Sequence, residues 1–253
     1  MADLDDVLGG FEDTQAKWSI FDDDYGRIYV DERAVLHEGW LEAELRGEPQ
    51  EICVALVLAG GPGSGKSTLL DERLSPPSPH TKIDPDAFKA RFPEYKLLVE
   101  AGDSRAAEVC HEESSDLAAR LLARAIARRH HIVLDQVGGG PPGRFLGKLV
   151  QLVSAGYRVE VVYADTAVET AIDRARIRAT KTGRIVPEDL IRAKHAEVAA
   201  RYQEVLEHDG IAAIELWACD EETRMVARHE AGRAPEILDQ SRLEAFLHKA
   251  EDR

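Results

Sequence analysis

One glycine-rich stretch constrains this chain more than any other. Residues 59–68 read AGGPGSGKST and fit the phosphate-loop pattern G-x-x-x-x-G-K-[ST]. Glycines allow backbone N–H groups to turn toward phosphate oxygens, where a Cβ would clash. Lys66 is expected to reach the β- and γ-phosphates of a nucleotide, while the Ser67 hydroxyl binds Mg²⁺. The predicted nucleotide-binding residues are Gly61, Gly63, Ser64, Gly65, Lys66, Ser67 and Thr68.

The segments on either side agree with this interpretation. Residues 52–58 form a short apolar, β-branched run that is typical of a buried parallel strand. Residues 68–74 have the pattern of a helix, whose positive N-terminal end would face the anion. Strand, loop and helix in this order are the context that the motif requires. The alternative, a glycine-rich hairpin with an accidental Lys-Ser pair, does not account for it.

Strands and helices alternate along the rest of the chain. Strands are predicted at 52–58, 81–86, 131–135, 157–163 and 211–217, and helices at 33–45, 68–74, 87–92, 104–129, 145–155, 168–180, 188–206 and 238–250. Such alternation predicts an α/β fold of the P-loop kinase type, with a mostly parallel sheet and helices on both faces. We divide the chain into an acidic, partly ordered N-terminal segment, 1–32, and a kinase domain with a C-terminal helix, 33–253.

Composition narrows the possible partners and the compartment. The formal net charge is −15, so we expect neither nucleic acid nor an anionic membrane as a partner. Cys53, Cys110 and Cys219 are far apart and form no C-x-x-C motif, which is typical of reduced thiols in a cytoplasmic protein. The acidic N-terminus does not look like a signal peptide, and no apolar run approaches the length of a membrane span.

The order of charged residues favours a small-molecule kinase over other phosphate-loop proteins. The T-K-x-D run at 81–84 lies too close to the loop to serve as a guanine motif, and an L-S-G-G-Q signature is missing. Small-molecule kinases place an acid after the second strand to face the acceptor hydroxyl. They place another after the third strand for the metal, and arginines on a late helix or lid. This chain has Asp84 and Asp86, then Asp135, then Arg174, Arg176, Arg178 and Arg184.

Several of these segments resemble the zeta toxin family of P-loop kinases. The matching pieces are the phosphate loop, I-D-P-D-A-F-K at 83–89, the stretch around His111, and T-G-R-I-V-P at 182–187. The similarity spans roughly residues 33–217. It implies a P-loop α/β kinase that uses ATP and Mg²⁺. Founding members phosphorylate the 3′-hydroxyl of the amino sugar in UDP-N-acetylglucosamine and are restrained by a small antitoxin protein.

The resemblance also implies roles for individual residues. Asp86 is expected to orient the acceptor hydroxyl, and Asp135 to hold the metal together with Ser67. Lys66, Arg174 and Arg184 are the expected stabilisers of charge on the transferring phosphoryl group, with Arg178 as a substitute for Arg174. The predicted substrate-binding residues are Asp84, His111, Glu113, Ser114 and Arg178. For the three on the long helix, a plain polar helix face is the alternative.

Two departures bear on the substrate. The family commonly has a substrate-binding threonine two residues after the acid that ends the third strand, whereas this chain has Val137. A glutamate that founding members carry on the long helix has no certain match. We therefore expect weak or no activity on UDP-N-acetylglucosamine and a preference for another hydroxylated small molecule. Two other functions fit the sequence: a protective antibiotic or metabolite phosphotransferase, and a non-catalytic ATP-binding switch.

Overall fold

The computed structural model of the chain describes residues 3–182 and 185–251. Its helices are α1 (Leu4–Leu8), α2 (Thr14–Trp18), α3 (Asp31–Glu44), α4 (Lys66–Glu72), α5 (Pro85–Lys89), α6 (Pro93–Glu100), α7 (Ala106–Val109), α8 (His111–Ala127), α9 (Arg144–Ser154), α10 (Val168–Thr182), α11 (Glu188–Leu206) and α12 (Gln240–His248). Its strands are β1 (Ser19–Asp22), β2 (Gly26–Tyr29), β3 (Cys53–Ala59), β4 (His80–Ile83), β5 (His131–Asp135), β6 (Tyr157–Asp165), β7 (Ala213–Cys219), β8 (Thr223–Glu230) and β9 (Glu236–Ile237).

The main sheet has seven strands in the order β4-β5-β3-β6-β7-β8-β9. The first five are mutually parallel, while β8 and β9 run antiparallel and extend one edge. The predicted fold class is therefore confirmed. The sequence prediction placed the last strand at β7 and missed the two that follow. In β8 the longest apolar run is the three residues 225–227, flanked by polar side chains, so its strand signal is weak.

The central strand shows why helices cover both faces of the sheet. Along β3, alternate side chains point in opposite directions. Ala55 and Val57 face the larger core, which includes residues of α8, α9, α11 and α12. Leu56 and Leu58 face a smaller core that includes residues of α4. Because both faces of β3 are covered, the carboxyl end of the strand is held rigidly where the phosphate loop begins.

Two differences from the predicted helices concern the segment between β4 and β5. The single helix predicted over 104–129 is divided at Cys110 into α7 and α8. No proline or glycine marks this division, so helical periodicity alone could not reveal it. The helix α6 was not predicted. It begins at Pro93, whose fixed φ and missing N–H suit the first turn of a helix.

The N-terminal segment forms defined elements that pack on the rest of the molecule. Residues 4–29 comprise α1, α2 and the β1–β2 hairpin, and Val7 and Leu8 belong to the larger core. Trp18 at the end of α2 donates a hydrogen bond from Nε1 to Glu94 Oε1 of α6, at 2.5 Å. The helix α3 begins at Asp31, so the proposed boundary between residues 32 and 33 lies inside it. The two-part division of the chain stays a prediction.

Within the described ranges, the helices are all too short or too polar to cross a lipid bilayer.

Candidate active site

The phosphate loop, residues 59–68, joins β3 to α4 and is closely packed on both sides. A Cβ at Gly61 would lie 2.3 Å from His195 Cδ2, and one at Gly63 would lie 2.4 Å from the Ala171 carbonyl oxygen. Gly63 also has a φ of 77°, which favours glycine. Side chains at these positions would force the loop away from α10 and α11. The glycines therefore fit a loop whose backbone must approach both its own scaffold and a ligand.

His195 of α11 packs against this loop at Gly61 and Pro62, and the sequence did not predict this role. Its Nε2 donates a hydrogen bond to the Pro62 carbonyl oxygen at 3.1 Å, and the side chain is buried. Burial lowers the pKa of His195, although the bond to Pro62 opposes the shift. The neutral ring can therefore act as a fixed donor at neutral pH. Nothing in the local sequence marks this histidine, since its role depends on the docking of α11 against the loop.

Lys66, the first residue of α4, lies close to Asp135 at the carboxyl end of β5. Lys66 Nζ donates to the Gly60 carbonyl oxygen at 2.7 Å and lies 3.8 Å from Asp135 Oδ1. Burial raises the pKa of Asp135, and the positive charge of Lys66 opposes this shift. Ser67 is exposed in the first turn of α4, whereas the Ser64 hydroxyl is buried without a hydrogen-bond partner among the described residues. A buried, unpaired hydroxyl in a glycine loop fits a polar ligand group that would complete it.

The two acids after β4 have different environments. Asp84 Oδ1 accepts a hydrogen bond from the Asp86 backbone N–H at 3.0 Å and caps α5, while Asp84 Oδ2 lies 3.7 Å from Lys82 Nζ. The Asp86 side chain is 46% exposed, and its Oδ1 lies 3.3 Å from Lys89 Nζ. Because Asp84 serves the local backbone and Asp86 is the more accessible, Asp86 is better placed to meet an acceptor. Burial is the main cause of the raised pKa of Asp135, and the negative charges of Asp84 and Asp86 add to it. The three carboxylates follow or end neighbouring parallel strands and therefore lie at one edge of the sheet.

Basic side chains from α5, α8 and α9 lie near these carboxylates and form a basic border. His111 is exposed at the start of α8, and its Nδ1 lies 3.5 Å from Lys89 Nζ. Partial desolvation and the charge of Lys89 lower the pKa of His111, and Arg144 contributes to the same shift. Lys148 of α9 donates from Nζ to Gln136 Oε1 at 2.6 Å, next to Asp135. Burial lowers the pKa of Lys148, and the charge of Arg144 adds to this effect.

The structure places Glu113 and Ser114 in the interior instead of on this border, where we expected them. Glu113 has no exposed side-chain surface and accepts hydrogen bonds from Arg33, at 2.6 and 2.9 Å, and from His37 at 2.8 Å. The pKa of Glu113 falls to about 2; burial opposes the shift, but bonds from His37 and Arg33 outweigh it. The buried Ser114 hydroxyl donates to the His111 carbonyl oxygen at 2.9 Å. Their placement indicates structural duties.

Arg174 of α10 lies against the phosphate loop. Its guanidinium donates to the Gly63 carbonyl oxygen at 3.4 Å and to the Asp220 carbonyl oxygen at 2.8 Å. Arg178 is exposed one turn further along the helix. Arg184, predicted as a second clamp on the phosphoryl group, lies outside the described residues. The structure thus gathers Lys66, Asp84, Asp86, Asp135 and Arg174 around the carboxyl edge of the sheet, the usual ligand position in open α/β folds.

Comparison with solved structures supports the same fold. A structure of AvrRxo1-ORF1 with AvrRxo1-ORF2 and sulphate ions has a TM-score of 0.72 at 18% identity, covering 93% of this chain and 82% of that one. The same pair with ATP gives 0.69 at 19% identity, covering 87% and 73%. A structure from the PezAT toxin–antitoxin system of Streptococcus pneumoniae gives 0.65 at 16% identity, covering 89% and 96%.

No curated protein matches the chain. A family model does, however: the model described as Zeta toxin matches residues 40–229, which include the phosphate loop, the three carboxylates and Arg174. The fold, the gathered site and this match lead to one conclusion: the chain belongs to the zeta toxin family of P-loop kinases.

Proposed function

We propose that this chain is an ATP-dependent small-molecule kinase of the zeta toxin type. It would transfer the γ-phosphate of ATP to a hydroxyl group of a nucleotide sugar or a related metabolite. The observation that carries the proposal is the approach of Lys66 to Asp135 beside a tightly packed glycine loop, with Asp86 in the helix that follows the adjacent strand β4. A non-catalytic switch would need no acid facing an acceptor.

The nucleotide would lie on the loop from Gly61 to Thr68. Support comes from the glycine positions that admit no side chain and from the unpaired Ser64 hydroxyl. A structure of AvrRxo1-ORF1 with ATP has the same fold, which agrees with this choice of nucleotide. Ser67 and Asp135 supply the oxygen ligands that Mg²⁺ prefers, and both lie beside Lys66. Bound there, the ion would neutralise phosphate charge.

Transfer would proceed by attack of the acceptor oxygen on the γ-phosphorus. The bond between that phosphorus and the β,γ-bridging oxygen breaks, and ADP leaves with the electron pair. Asp86 orients the hydroxyl and accepts its proton late, as suits a loose transition state. Lys66 and Arg174, with Arg184 beyond the described residues, stabilise the charge on the transferring group, a term that is usually large.

The basic border favours an acceptor that is itself anionic. Lys89 Nζ lies 3.3 Å from Asp86 Oδ1 and 3.5 Å from His111 Nδ1. Burial is the main cause of the lowered pKa values of His111 and Lys148, and repulsion from Arg144, with Lys89 also acting on His111, adds to it. A phosphorylated or nucleotide-linked acceptor would relieve this repulsion. Val137, 38% exposed next to Gln136, offers no hydroxyl to the acceptor and counts against the amino-sugar nucleotide itself.

We also propose a protein antitoxin as a partner and the cytoplasm as the place of action. Solved neighbours include the AvrRxo1-ORF1:AvrRxo1-ORF2 pair and the PezAT toxin–antitoxin system. All three cysteines are buried free thiols, which suits a reducing compartment.

The direct test is incubation of the protein with γ-labelled ATP, Mg²⁺ and a metabolite extract, followed by mass spectrometry of labelled products. We expect a labelled organic phosphate that the Lys66→Ala variant does not form. Release of inorganic phosphate alone, with no labelled metabolite, would contradict the kinase proposal and favour a switch.

A further inference from the structure

The last described helix, α12, and its C-terminal cap place two cationic side chains, Arg242 and Lys249, at the edge of the sheet that carries the phosphate loop. Arg242 and Lys249 are seven residues apart and therefore lie on one face of the helix. Arg242 donates to Asp220 Oδ2, and Lys249 Nζ lies 2.5 Å from Asp165 Oδ1 and 2.6 Å from the Thr166 carbonyl oxygen. Asp165 ends β6, and Asp220 follows β7 directly. The mechanism proposed above uses none of these four side chains.

Asp220 connects this face of α12 to α10. Its Oδ1 accepts hydrogen bonds from the Thr166 hydroxyl at 2.5 Å and from the Ala167 backbone N–H at 3.0 Å, immediately before α10 begins. Burial opposes ionisation, but these bonds and the charges of Arg242 and Lys249 lower the pKa of Asp220. The carboxylate is therefore ionised and fixed at neutral pH.

The backbone of Asp220 carries the connection to the active site. Its carbonyl oxygen accepts from Arg174, whose guanidinium also contacts the phosphate loop at Gly63. Asp220 thus holds α10 at two points, at its start through the side chain and at Arg174 through the carbonyl group. Arg242 donates to the second carboxylate oxygen of Asp220, Oδ2, and so holds the side chain opposite the bonds made by Oδ1.

We infer that Arg242 is a positioning residue for phosphoryl transfer, acting through Asp220 to set the guanidinium of Arg174 against the phosphate loop. This inference rests on the proposed function, since it takes Arg174 as a stabiliser of the transferring group. Loss of Arg242 would leave the Asp220 carboxylate with one anchored oxygen and allow its carbonyl group to shift. A displacement of about 1 Å at a group of this kind can lower a rate 100-fold.

The test uses hydrolysis of ATP by water, because this reaction needs the phosphoryl clamp but no organic acceptor. Single-turnover formation of ADP would be measured for the wild type, Arg242→Ala, Arg174→Ala and the double variant, with Lys66→Ala as the blank. We expect Arg242→Ala to reduce the rate roughly 10- to 100-fold, with ATP affinity changed less than threefold. The double variant should be no slower than Arg174→Ala, because residues that act as one unit are not additive.

Arg224→Ala is the matched control for a loosened helix. Arg224 pairs with Asp239 at 3.0 Å, and Asp239 caps the start of α12 by accepting from the Arg242 backbone N–H. Among the described residues, neither Arg224 nor Asp239 makes a hydrogen bond or ion pair with Asp220. We expect this variant to hydrolyse ATP at the wild-type rate. Arg242→Lys should recover much of the lost rate, and Arg242→Gln gives the same test should the alanine variant fail to fold.

The inference is overturned if Arg242→Ala hydrolyses ATP like the wild type, or if its loss multiplies with that of Arg174→Ala. Failure of the proposed function is a different result: no metabolite in the extract becomes labelled, while the hydrolysis rates of the four proteins still show whether Arg242 acts through Arg174.

Discussion

Lys66 Nζ lies 3.8 Å from Asp135 Oδ1, and both side chains are more than four-fifths buried. The pair joins the phosphate loop to the end of the adjacent strand β5. Two opposite charges held this close with little water between them interact more strongly than they would on the surface. The arrangement keeps one cation and one carboxylate ready for a nucleotide and its metal.

Removal of the Lys66 cation should nearly abolish phosphoryl transfer. In Lys66→Ala the γ-phosphate loses a positioning group and a stabilising charge, while the fold should persist because Lys66 is not part of the apolar core. We expect ADP formation at the level of the protein-free blank, with a melting temperature near that of the wild type. Wild-type turnover in this variant would contradict the kinase proposal.

The two acids after β4 should differ in their effect on rate. Asp86→Asn should leave ATP affinity within a few-fold but reduce transfer by on the order of 100-fold or more, the usual value of general-base assistance. Asp84→Asn is the matched variant. Its Oδ1 caps α5, so we expect a change in stability with a smaller loss of rate. A larger kinetic loss in Asp84→Asn would assign the base to Asp84.

The contact between Gly61 and His195 gives a test of how the loop is supported. Gly61→Ala should reduce ATP affinity by about tenfold or more, because its Cβ would overlap the imidazole ring. The double variant Gly61→Ala/His195→Ala should regain part of the affinity, since removal of the ring opens the space. Gly147→Ala, where a Cβ meets nothing within 4 Å, is the control and should bind ATP normally. Titration with a fluorescent ATP analogue measures all four proteins.

The Glu113 network should make stability depend on pH. The pKa of Glu113 falls from its ordinary 4.5 to about 2 in the folded chain, so its stabilising effect is complete above pH 4.5 and is lost as the pH falls toward 2. Glu113→Gln should lower the free energy of unfolding at pH 7 by about 3 kcal/mol, since it leaves Arg33 poorly paired. The difference from the wild type should shrink on acidification. Urea unfolding between pH 3 and 7 checks this, with the exposed Glu112→Gln as control.

Val137 should limit activity on UDP-N-acetylglucosamine. A valine cannot form the hydrogen bond that a threonine hydroxyl would make with the substrate. A polar group of the substrate that is buried without a partner costs about 1–3 kcal/mol. We expect weak or no 3′-phosphorylation by the wild type and an increase in Val137→Thr. Val35→Thr, also exposed, serves as the control. Efficient product formation by the wild type, seen by mass spectrometry, would show that Val137 is tolerated.

Local pattern was sufficient for the features that depend on neighbours in the chain. The five parallel strands from β3 to β7 follow from periodicity, and the loop at 59–68 follows from the requirements of a phosphate cradle. Asp135 ends a predicted strand, so its approach to Lys66 follows from two parallel strands ending at one edge. The placement of Asp86 follows from the same rule.

Features that depend on distant contacts could not be predicted. Glu113 reads as a polar residue on a helix face, and only the docking of α3 reveals that Arg33 and His37 enclose it. His195 has no local signature either. Arg242 belongs to a helix predicted as a plain closing element, and its connection to Arg174 passes through Asp220, a residue in a turn between two strands of which one was not predicted.

The side chains that pair with Glu113, Asp165 and Asp220 bear on how much of the chain a stable fold needs. The family match covers residues 40–229, yet Arg33 and His37 precede it and Arg242 and Lys249 follow it. These four cationic or ring side chains bind carboxylates that lie inside the matched range.

A polypeptide trimmed to the matched range would therefore keep the acids and lose their partners. Glu113 and Asp165 are the two buried carboxylates among these. Leaving a buried carboxylate unpaired costs about 3–5 kcal/mol, so both losses together are comparable to the whole stability of an ordinary domain, about 5–15 kcal/mol. We therefore expect the segment matched by the family model to be shorter than the segment needed for a stable fold. The residues that define the family and the residues that stabilise its buried carboxylates thus occupy different ranges of this chain.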